Sequence, residues 1–231
     1  MAELLAIRHA QASFGAADYD VLSERGHRQS VALGRALLAA GLRPDLVVIG
    51  AQRRHRETYQ GIAEAMGLDP AAYTVDPGLN EFDFKGLLAA RFRDGPAPEG
   101  AGMTPDGDRR AHFRTLRDTV LAWQRDEIAD PPETWSAFCG RVAAARDAMI
   151  AALAGAGRSG RLLAVSSGGA LGRLVASSLD APAEQMIRLQ LQMKNCAMSR
   201  LIVGREGLYL HSFNETPHID AASADDLLTY S

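Results

Sequence analysis

Cysteine is almost absent from this chain of 231 residues, in which the two examples, Cys139 and Cys196, stand far apart. Neither belongs to a CxxC or Cys/His pattern, so the sequence indicates neither a zinc site nor a disulfide framework. No stretch approaches the ~18–20 consecutive apolar residues that a membrane span needs. Glu3 and Arg8 also fall within what would be the apolar part of a signal peptide. We therefore expect a soluble, unexported protein of the cytoplasm with no membrane partner.

An excess of positive charge is also missing. The 25 lysines and arginines are outnumbered by 28 aspartates and glutamates, which gives a net charge of −3. Without a global positive field we do not expect a nucleic-acid partner, so any site for an anion must be local. The sequence has no internal repeat or low-complexity segment. Its length fits one large domain or a domain with an insertion.

Buried strands alternate with helices along most of the chain, which predicts an α/β fold. The predicted strands cover residues 4–8, 45–49, 73–75 and 161–166. This alternation is typical of a mostly parallel sheet between two layers of helices, a three-layer α/β/α architecture. Two alternating segments near the end, 196–203 and 208–213, are joined by a glycine-bounded connection and predict a hairpin. We expect this hairpin to add one antiparallel edge strand to the sheet.

The alternation breaks between residues 87 and 132. A loop rich in proline and glycine, 95–105, precedes an amphipathic helix over 107–127. We therefore predict a single domain, 1–231, with an inserted helical cap at about 87–132.

The first strand ends at an arginine–histidine pair, Arg8 and His9. The carboxyl ends of parallel strands are where open α/β sheets bind ligands. A guanidinium group offers a planar fork to phosphate oxygens, and an imidazole is a nucleophile at neutral pH. The pair is therefore suited to attack on phosphorus, although a histidine at a strand end can also be a structural, hydrogen-bonded residue.

Three other strand ends carry polar groups. Arg54 opens the helix after the second strand, Glu81 follows the third strand, and Ser167-Gly168-Gly169 follows the fourth. Helix amino termini favour anions, and a carboxyl group among aromatic residues can act as a general acid. Each segment also has a plainer interpretation: a solvated arginine face, or turn chemistry around a solvated Glu81.

The order, spacing and chemistry of these segments resemble the histidine phosphatase superfamily, which includes phosphoglycerate mutases and histidine acid phosphatases. The resemblance extends from about residue 4 to residue 218 and implies a phosphoglycerate mutase-like fold. Its usual motifs are Arg-His-Gly, Leu-Thr-x-x-Gly-x-x-Gln, Arg-Ala-x-Gln-Thr, Leu-x-Glu and Val-x-His-Gly-Gly. The matching segments here begin at Leu5-Ala6-Ile7-Arg8-His9-Ala10 and continue with 22–29, Arg54-His55-Arg56-Glu57-Thr58, 79–86 and Val165-Ser166-Ser167-Gly168-Gly169.

The resemblance implies a role for each matching residue. His9 would displace the alkoxide from phosphorus and become phosphohistidine, while Arg8 and Arg54 hold the phosphoryl oxygens. Glu81 would protonate the leaving oxygen and then activate the water that hydrolyses phosphohistidine. This chemistry implies no metal and no cofactor. The substrate would be a small phosphorylated metabolite or other phosphoester.

Two positions depart from the family pattern. Ala10 replaces the signature glycine, and Ser167 stands where the family has its second histidine, which donates a hydrogen bond to the phosphoryl oxygens. Losing such a donor costs roughly 1.5–3 kcal/mol, or about ten- to a hundredfold in rate. The serine hydroxyl and the amides of Gly168 and Gly169 can recover part of this. We therefore predict a weakened or narrowed phosphatase.

Several alternatives remain open from the sequence. A catalytically degenerate relative would bind phosphorylated ligands or a partner protein without turnover. A mutase is disfavoured because residues 11–15 lack the Glu-Ser that typically continues the signature in mutases. His27, His55 and His112 are candidates to replace the missing imidazole in space. Ser167→His should raise turnover if that vacancy limits the rate, and lower it or leave it unchanged if the pocket is rebuilt around serine. The sequence determines neither the physiological substrate nor the oligomeric state.

Overall fold

The computed structural model describes residues 1–13, 20–98, 109–205 and 207–230. The strands are β1 (Glu3–Arg8), β2 (Leu46–Ile49), β3 (Thr74–Val75), β4 (Arg161–Ser166), β5 (Met198–Gly204) and β6 (Gly207–Glu215). The helices are α1 (Glu24–Ala39), α2 (Arg53–Met66), α3 (Phe84–Arg91), α4 (Arg109–Gln124), α5 (Trp135–Gly155), α6 (Gly168–Ser178), α7 (Gln185–Gln192) and α8 (Ala224–Leu227), with a 3-10 helix at Pro77–Leu79.

The strands of the described residues form one sheet in the order β3-β2-β4-β1-β5-β6. The first four strands along the chain are parallel to one another, which confirms the predicted α/β class and mostly parallel sheet. β5 is the antiparallel strand that the hairpin predicted. The sequence predicted this strand at the edge of the sheet, but it lies one strand in, because β6 turns back and pairs with its other side.

β1 is buried on both faces, which is why its sequence is apolar without alternation. On one face, Leu4 and Ala6 belong to the core that the sheet shares with α3 to α7. On the other face, Leu5 and Ile7 pack into a second core with α1 and α2. The two cores place helices on both sides of the sheet and give the three predicted layers.

Local capping fixes where several helices begin. The hydroxyl groups of Ser23 and Thr134 accept hydrogen bonds from the first turns of α1 and α5, at Gly26 N–H and Ala137 N–H. Asp83 caps α3 in the same way. The capping role of Asp83 thus agrees with the turn interpretation of that segment.

The predicted cap at about 87–132 remains a prediction, because residues 99–108 lie outside the described part of the chain. The described part of the segment contains most of α3 and all of α4, which ends at Gln124 rather than 127. α4 packs on the core through Leu116, Val120 and Trp123. No helix within the described ranges is long and apolar enough to cross a membrane.

Candidate active site

The carboxyl ends of three neighbouring strands lie at the same level. Arg8 of β1 pairs with Ser166 of β4, and Ile49 of β2 pairs with Val165. The ladder continues one step further, where the His9 N–H donates to the Ser166 carbonyl at 2.8 Å. The residues that follow these strands are therefore neighbours, as the parallel sheet predicted.

His9 lies buried at the end of β1 with a defined ring orientation. Its Nδ1–H donates to the backbone carbonyl of Ala10 at 2.7 Å, so Nε2 carries the lone pair. Burial, together with the charges of Arg54 and Arg8, holds the pKa of His9 well below its ordinary value. The imidazole is therefore neutral at physiological pH.

Arg8 is anchored by the backbone around β5. Its side-chain Nη1 donates to the carbonyl of Met193, and its backbone N–H donates to the carbonyl of Ala197 at 3.0 Å. The guanidinium group also lies next to Gly168, where an added Cβ atom would be 3.5 Å from Nε of Arg8. Arg8 therefore faces the amino terminus of α6.

Arg54, in the first turn of α2, is at the centre of a side-chain network. Its guanidinium group donates to Asp20 Oδ1 at 2.8 Å, to Gln52 Oε1 at 2.9 Å and to Ser167 Oγ at 3.2 Å. Only 6% of Arg54 is exposed. A buried guanidinium group beside helix amino termini is a typical binding site for a phosphoryl group.

Glu81 lies between the 3-10 helix and α3, half-buried rather than solvated. Its Oε2 accepts from the Gly169 N–H at 3.0 Å, and its Oε1 accepts from the Phe82 N–H at 3.2 Å. Burial raises the pKa of Glu81, although these amides and the charges of Arg54 and Arg8 oppose the rise. A Cβ atom at Gly169 would lie 2.1 Å from Oε1, so the carboxyl group can reach this amide only because residue 169 is glycine.

Ser167 occupies the N-cap position of α6 but makes no side-chain capping bond. Its Oγ instead lies 2.7 Å from Nε2 of His55 and donates to Gln52 Oε1 at 3.3 Å. Both Ser167 and His55 are fully buried. The position of the absent second histidine is therefore in contact with an imidazole that comes from α2.

The sequence profile of the histidine phosphatase superfamily (branch 1) matches residues 4–216. The chain belongs to this superfamily. Among curated relatives, the 2,3-bisphosphoglycerate-dependent phosphoglycerate mutase of Mesorhizobium japonicum is 29% identical over 136 residues, 56% of this chain and 58% of that protein. The match thus spans little more than half of the length of this relative.

Solved structures of other proteins share the histidine phosphatase fold. A mycobacterial glucosyl-3-phosphoglycerate phosphatase in complex with inorganic phosphate has a TM-score of 0.64 at 22% identity, and the likeness covers 94% of this chain and 99% of that one. The α-ribazole phosphatase from Shigella flexneri has a TM-score of 0.59 at 23% identity, covering 93% and 96%. At these identities the likeness shows the fold.

The structure brings the sequence-predicted site residues to one edge of the sheet: Arg8, His9, Arg54, Glu81, Ser167 and Gly168. Of the three candidate substitute histidines, His55 is the one at the site. His27 is exposed on α1, and His112 packs against the rings of Phe84 and Phe113. The interpretation of Glu81 as a solvated residue is wrong.

Two residues of the network were missed from the sequence. Gln52 lies at the N-cap position of α2, and its Oε1 accepts hydrogen bonds from Arg54 and from the Glu81 N–H at 3.0 Å. Its position two residues before Arg54 is a signal that could have found it. Asp20 lies in a remote segment before α1 and pairs with Arg54. No local pattern around Asp20 indicates this contact.

Proposed function

We propose that this histidine phosphatase superfamily member is a phosphomonoesterase that acts through a phosphohistidine at His9. The orientation of the His9 ring carries the proposal. The bond from Nδ1–H to the Ala10 carbonyl leaves the Nε2 lone pair as the nucleophile, and the lowered pKa of His9 keeps that lone pair unprotonated.

In the first step, Nε2 of His9 attacks phosphorus and forms an N–P bond while the ester P–O bond breaks. The leaving oxygen takes the bonding electron pair and receives the proton of Glu81, whose raised pKa favours the protonated form. Arg8 and Arg54 stabilise the charge on the non-bridging oxygens.

In the second step, water attacks the phosphorus of phosphohistidine. The Glu81 carboxylate accepts a proton from this water, the N–P bond breaks, and its electron pair returns to Nε2 of His9. Inorganic phosphate and the starting protonation states result. Because two guanidinium groups supply the positive charge, we expect hydrolysis to continue in the presence of a metal chelator.

The substrate class that fits this site is a small phosphorylated metabolite. Arg8 and Arg54 match the charge of one phosphoryl group, and the solved structures of this fold include a glucosyl-3-phosphoglycerate phosphatase and an α-ribazole phosphatase. The proposed cap at about 87–132 would contact the rest of the substrate and set specificity.

Hydrolysis of p-nitrophenyl phosphate by purified protein tests the proposal. We expect turnover in the wild type and a loss of about four orders of magnitude or more in His9→Ala, since the nucleophile is removed. His27→Ala, at an exposed histidine of α1, is the matched control and should retain full activity. Turnover that survives in His9→Ala would contradict the histidine nucleophile.

A second candidate is a protein that binds phosphorylated ligands without turnover. Ser167 favours it, because a serine stands where the family pattern has the second histidine, whose hydrogen bond would stabilise the transferred phosphoryl group. The binding function predicts that His9→Ala retains affinity for inorganic phosphate while the wild type forms no covalent intermediate.

A phosphoglycerate mutase is a third candidate, favoured by the sequence match to the Mesorhizobium japonicum mutase. The segment after His9 lacks the Glu-Ser of mutases and favours hydrolysis. A transfer assay with phosphoglycerate separates the two activities. Phosphoryl transfer faster than hydrolysis would overturn the phosphatase assignment.

A further inference from the structure

His55 and Ser167 form a buried pair at the phosphate site although they lie on different elements. The Nε2 and Oγ atoms are 2.7 Å apart, and both residues have 0% exposure. The ring centroid of His55 is 5.9 Å from that of His9. The pair therefore lies beside the proposed nucleophile and not in a remote part of the core.

The packing around His55 is built to hold an imidazole. A Cβ atom on Gly50, which follows β2, would lie 2.2 Å from Nδ1 of His55. Any other residue at position 50 would displace the ring, so the ring position depends on glycine there. Burial and the nearby charge of Arg54 lower the pKa of His55 to about 3, so the ring is neutral.

The contacts of Ser167 decide which group of the pair is the donor. Two N–H groups, from Arg54 and from the backbone of Glu81, donate to Gln52 Oε1, which identifies this atom as the amide oxygen and not the amide nitrogen. An amide oxygen can only accept, so the Ser167 Oγ–H donates to it. Arg54 can only donate to Oγ. The single hydroxyl hydrogen is thus directed to Gln52, and Oγ accepts from both Arg54 and the Nε2–H of His55.

We infer that His55 is a positioning residue for phosphoryl transfer: its Nε2–H holds Ser167 Oγ in place, and when Arg54 binds a phosphoryl group the Oγ–H turns from Gln52 Oε1 to a phosphoryl oxygen. Serine and histidine together then supply the donor that the family pattern places on one histidine. This inference rests on the proposed function and names two residues that act as one unit within it.

The space between residue 167 and His55 is too small for a second imidazole. An imidazole at position 167 would place its Cγ near the present Oγ, 2.7 Å from His55 Nε2. That separation is well below the ~3.5 Å at which carbon and nitrogen atoms pack. Ser167→His alone should therefore lower kcat, whereas His55→Ala/Ser167→His, which empties the space on α2, should exceed both single variants.

A matched pair of substitutions separates positioning from packing. His55→Leu keeps the volume and loses the donor, whereas the amide nitrogen of His55→Gln can reach the same point as Nε2. We expect His55→Leu to lower kcat for p-nitrophenyl phosphate about tenfold with little change in KM, and His55→Gln to lose clearly less. Equal losses in both variants, accompanied by equal losses in Tm, would show a packing role and overturn the inference.

A double-mutant cycle with Ser167→Ala is the decisive test. If His55 acts through Ser167, His55→Leu lowers kcat in the wild-type background and has little further effect when residue 167 is alanine. The same fold-effect of His55→Leu in both backgrounds would overturn the inference. So would a kcat of His55→Ala/Ser167→His that is no higher than the product of the effects of His55→Ala and Ser167→His predicts.

The failure of this inference can be told apart from the failure of the proposed function. A wild type that forms no phosphohistidine contradicts the proposed function. In that case the Kd of orthovanadate, which binds the phosphoryl site without turnover, is measured for the four proteins of the same cycle: the wild type, His55→Leu, Ser167→Ala and the double variant. Non-additive effects on this Kd support the His55–Ser167 unit, and additive effects contradict it.

Discussion

The two halves of the candidate site are held in different ways. Arg8, His9 and Glu81 bond to the backbone: Arg8 to the Met193 carbonyl, His9 to the Ala10 carbonyl, and Glu81 to two amides. We call these three residues the backbone-held group. The other half bonds side chain to side chain, and its members form the side-chain network: Asp20, Gln52, Arg54, His55 and Ser167.

This difference explains where the chain departs from the family pattern. Ala10 replaces the signature glycine, yet its backbone carbonyl still holds His9 and its N–H donates to Thr58 Oγ1 at 2.9 Å. A backbone partner survives a change of side chain. In the side-chain network, by contrast, a change of residue 167 alters the hydrogen-bond partners of its neighbours, and the role we infer for His55 is to compensate for this change.

The largest effect that would sharpen this comparison is expected at Arg54, the centre of the side-chain network. Arg54→Ala removes two or more charge-assisted contacts and should lower kcat/KM about 10²–10⁴-fold. Arg56→Ala, an exposed arginine on the same helix, makes the same change in charge. Steady-state kinetics of the two variants with p-nitrophenyl phosphate provide the measurement. Similar losses in both would show that general charge, and not the network, determines activity.

Glu81 belongs to the backbone-held group and should control the pH profile. Its raised pKa and the lowered pKa of His9 predict an acidic optimum: activity falls as rising pH deprotonates Glu81, and as falling pH protonates His9. In Glu81→Gln the alkaline decline should disappear, and kcat/KM for an alkyl phosphate should fall about 10²-fold. The loss for p-nitrophenyl phosphate should be smaller, because p-nitrophenolate leaves without a proton.

Asp83→Asn is the control for that prediction. Asp83 is an exposed carboxylate two residues away, and asparagine retains the ability to cap α3. The pH profile of Asp83→Asn should match that of the wild type between about pH 4 and 8. An unchanged alkaline decline in Glu81→Gln would assign that decline to another group.

A smaller effect is expected at Gly169, because the carboxyl group of Glu81, a member of the backbone-held group, lies close to its backbone. In Gly169→Ala the new Cβ atom, 2.1 Å from Glu81 Oε1 and 2.5 Å from the Phe82 ring, displaces the carboxyl group. Strain of about 1–2 kcal/mol corresponds to a loss of about tenfold in kcat.

Gly140→Ala provides the comparison for this glycine. Gly140 lies in α5 and has no atom within 4 Å of an added Cβ. Alanine there should stabilise the protein by about 0.5–1 kcal/mol, measured by thermal or urea unfolding, without changing kcat. Equal kcat values in the two alanine variants would contradict the need for glycine beside Glu81.

The sequence predicted most of the sheet because the strand segments are continuously apolar, and because residues such as Ser23 and Thr134 mark where the helices between them begin. It also predicted that His9, Arg54 and Glu81 share one edge, since parallel strands end together. It could not place His55, because nothing in an arginine-rich motif shows whether a histidine side chain points into the site or away from it. Asp20 was missed for a related reason: its partner Arg54 is 34 positions away in sequence, and no periodicity connects them.

The most direct test of the central claim is to trap the phosphoenzyme in Glu81→Gln after mixing with p-nitrophenyl phosphate. Phosphorylation of His9 should proceed, while hydrolysis of phosphohistidine slows because no carboxylate activates the water. We expect a burst of p-nitrophenolate and, after an alkaline quench, mass spectrometry should locate the phosphate on His9. No burst, or phosphate on Ser167 in place of His9, would contradict the account.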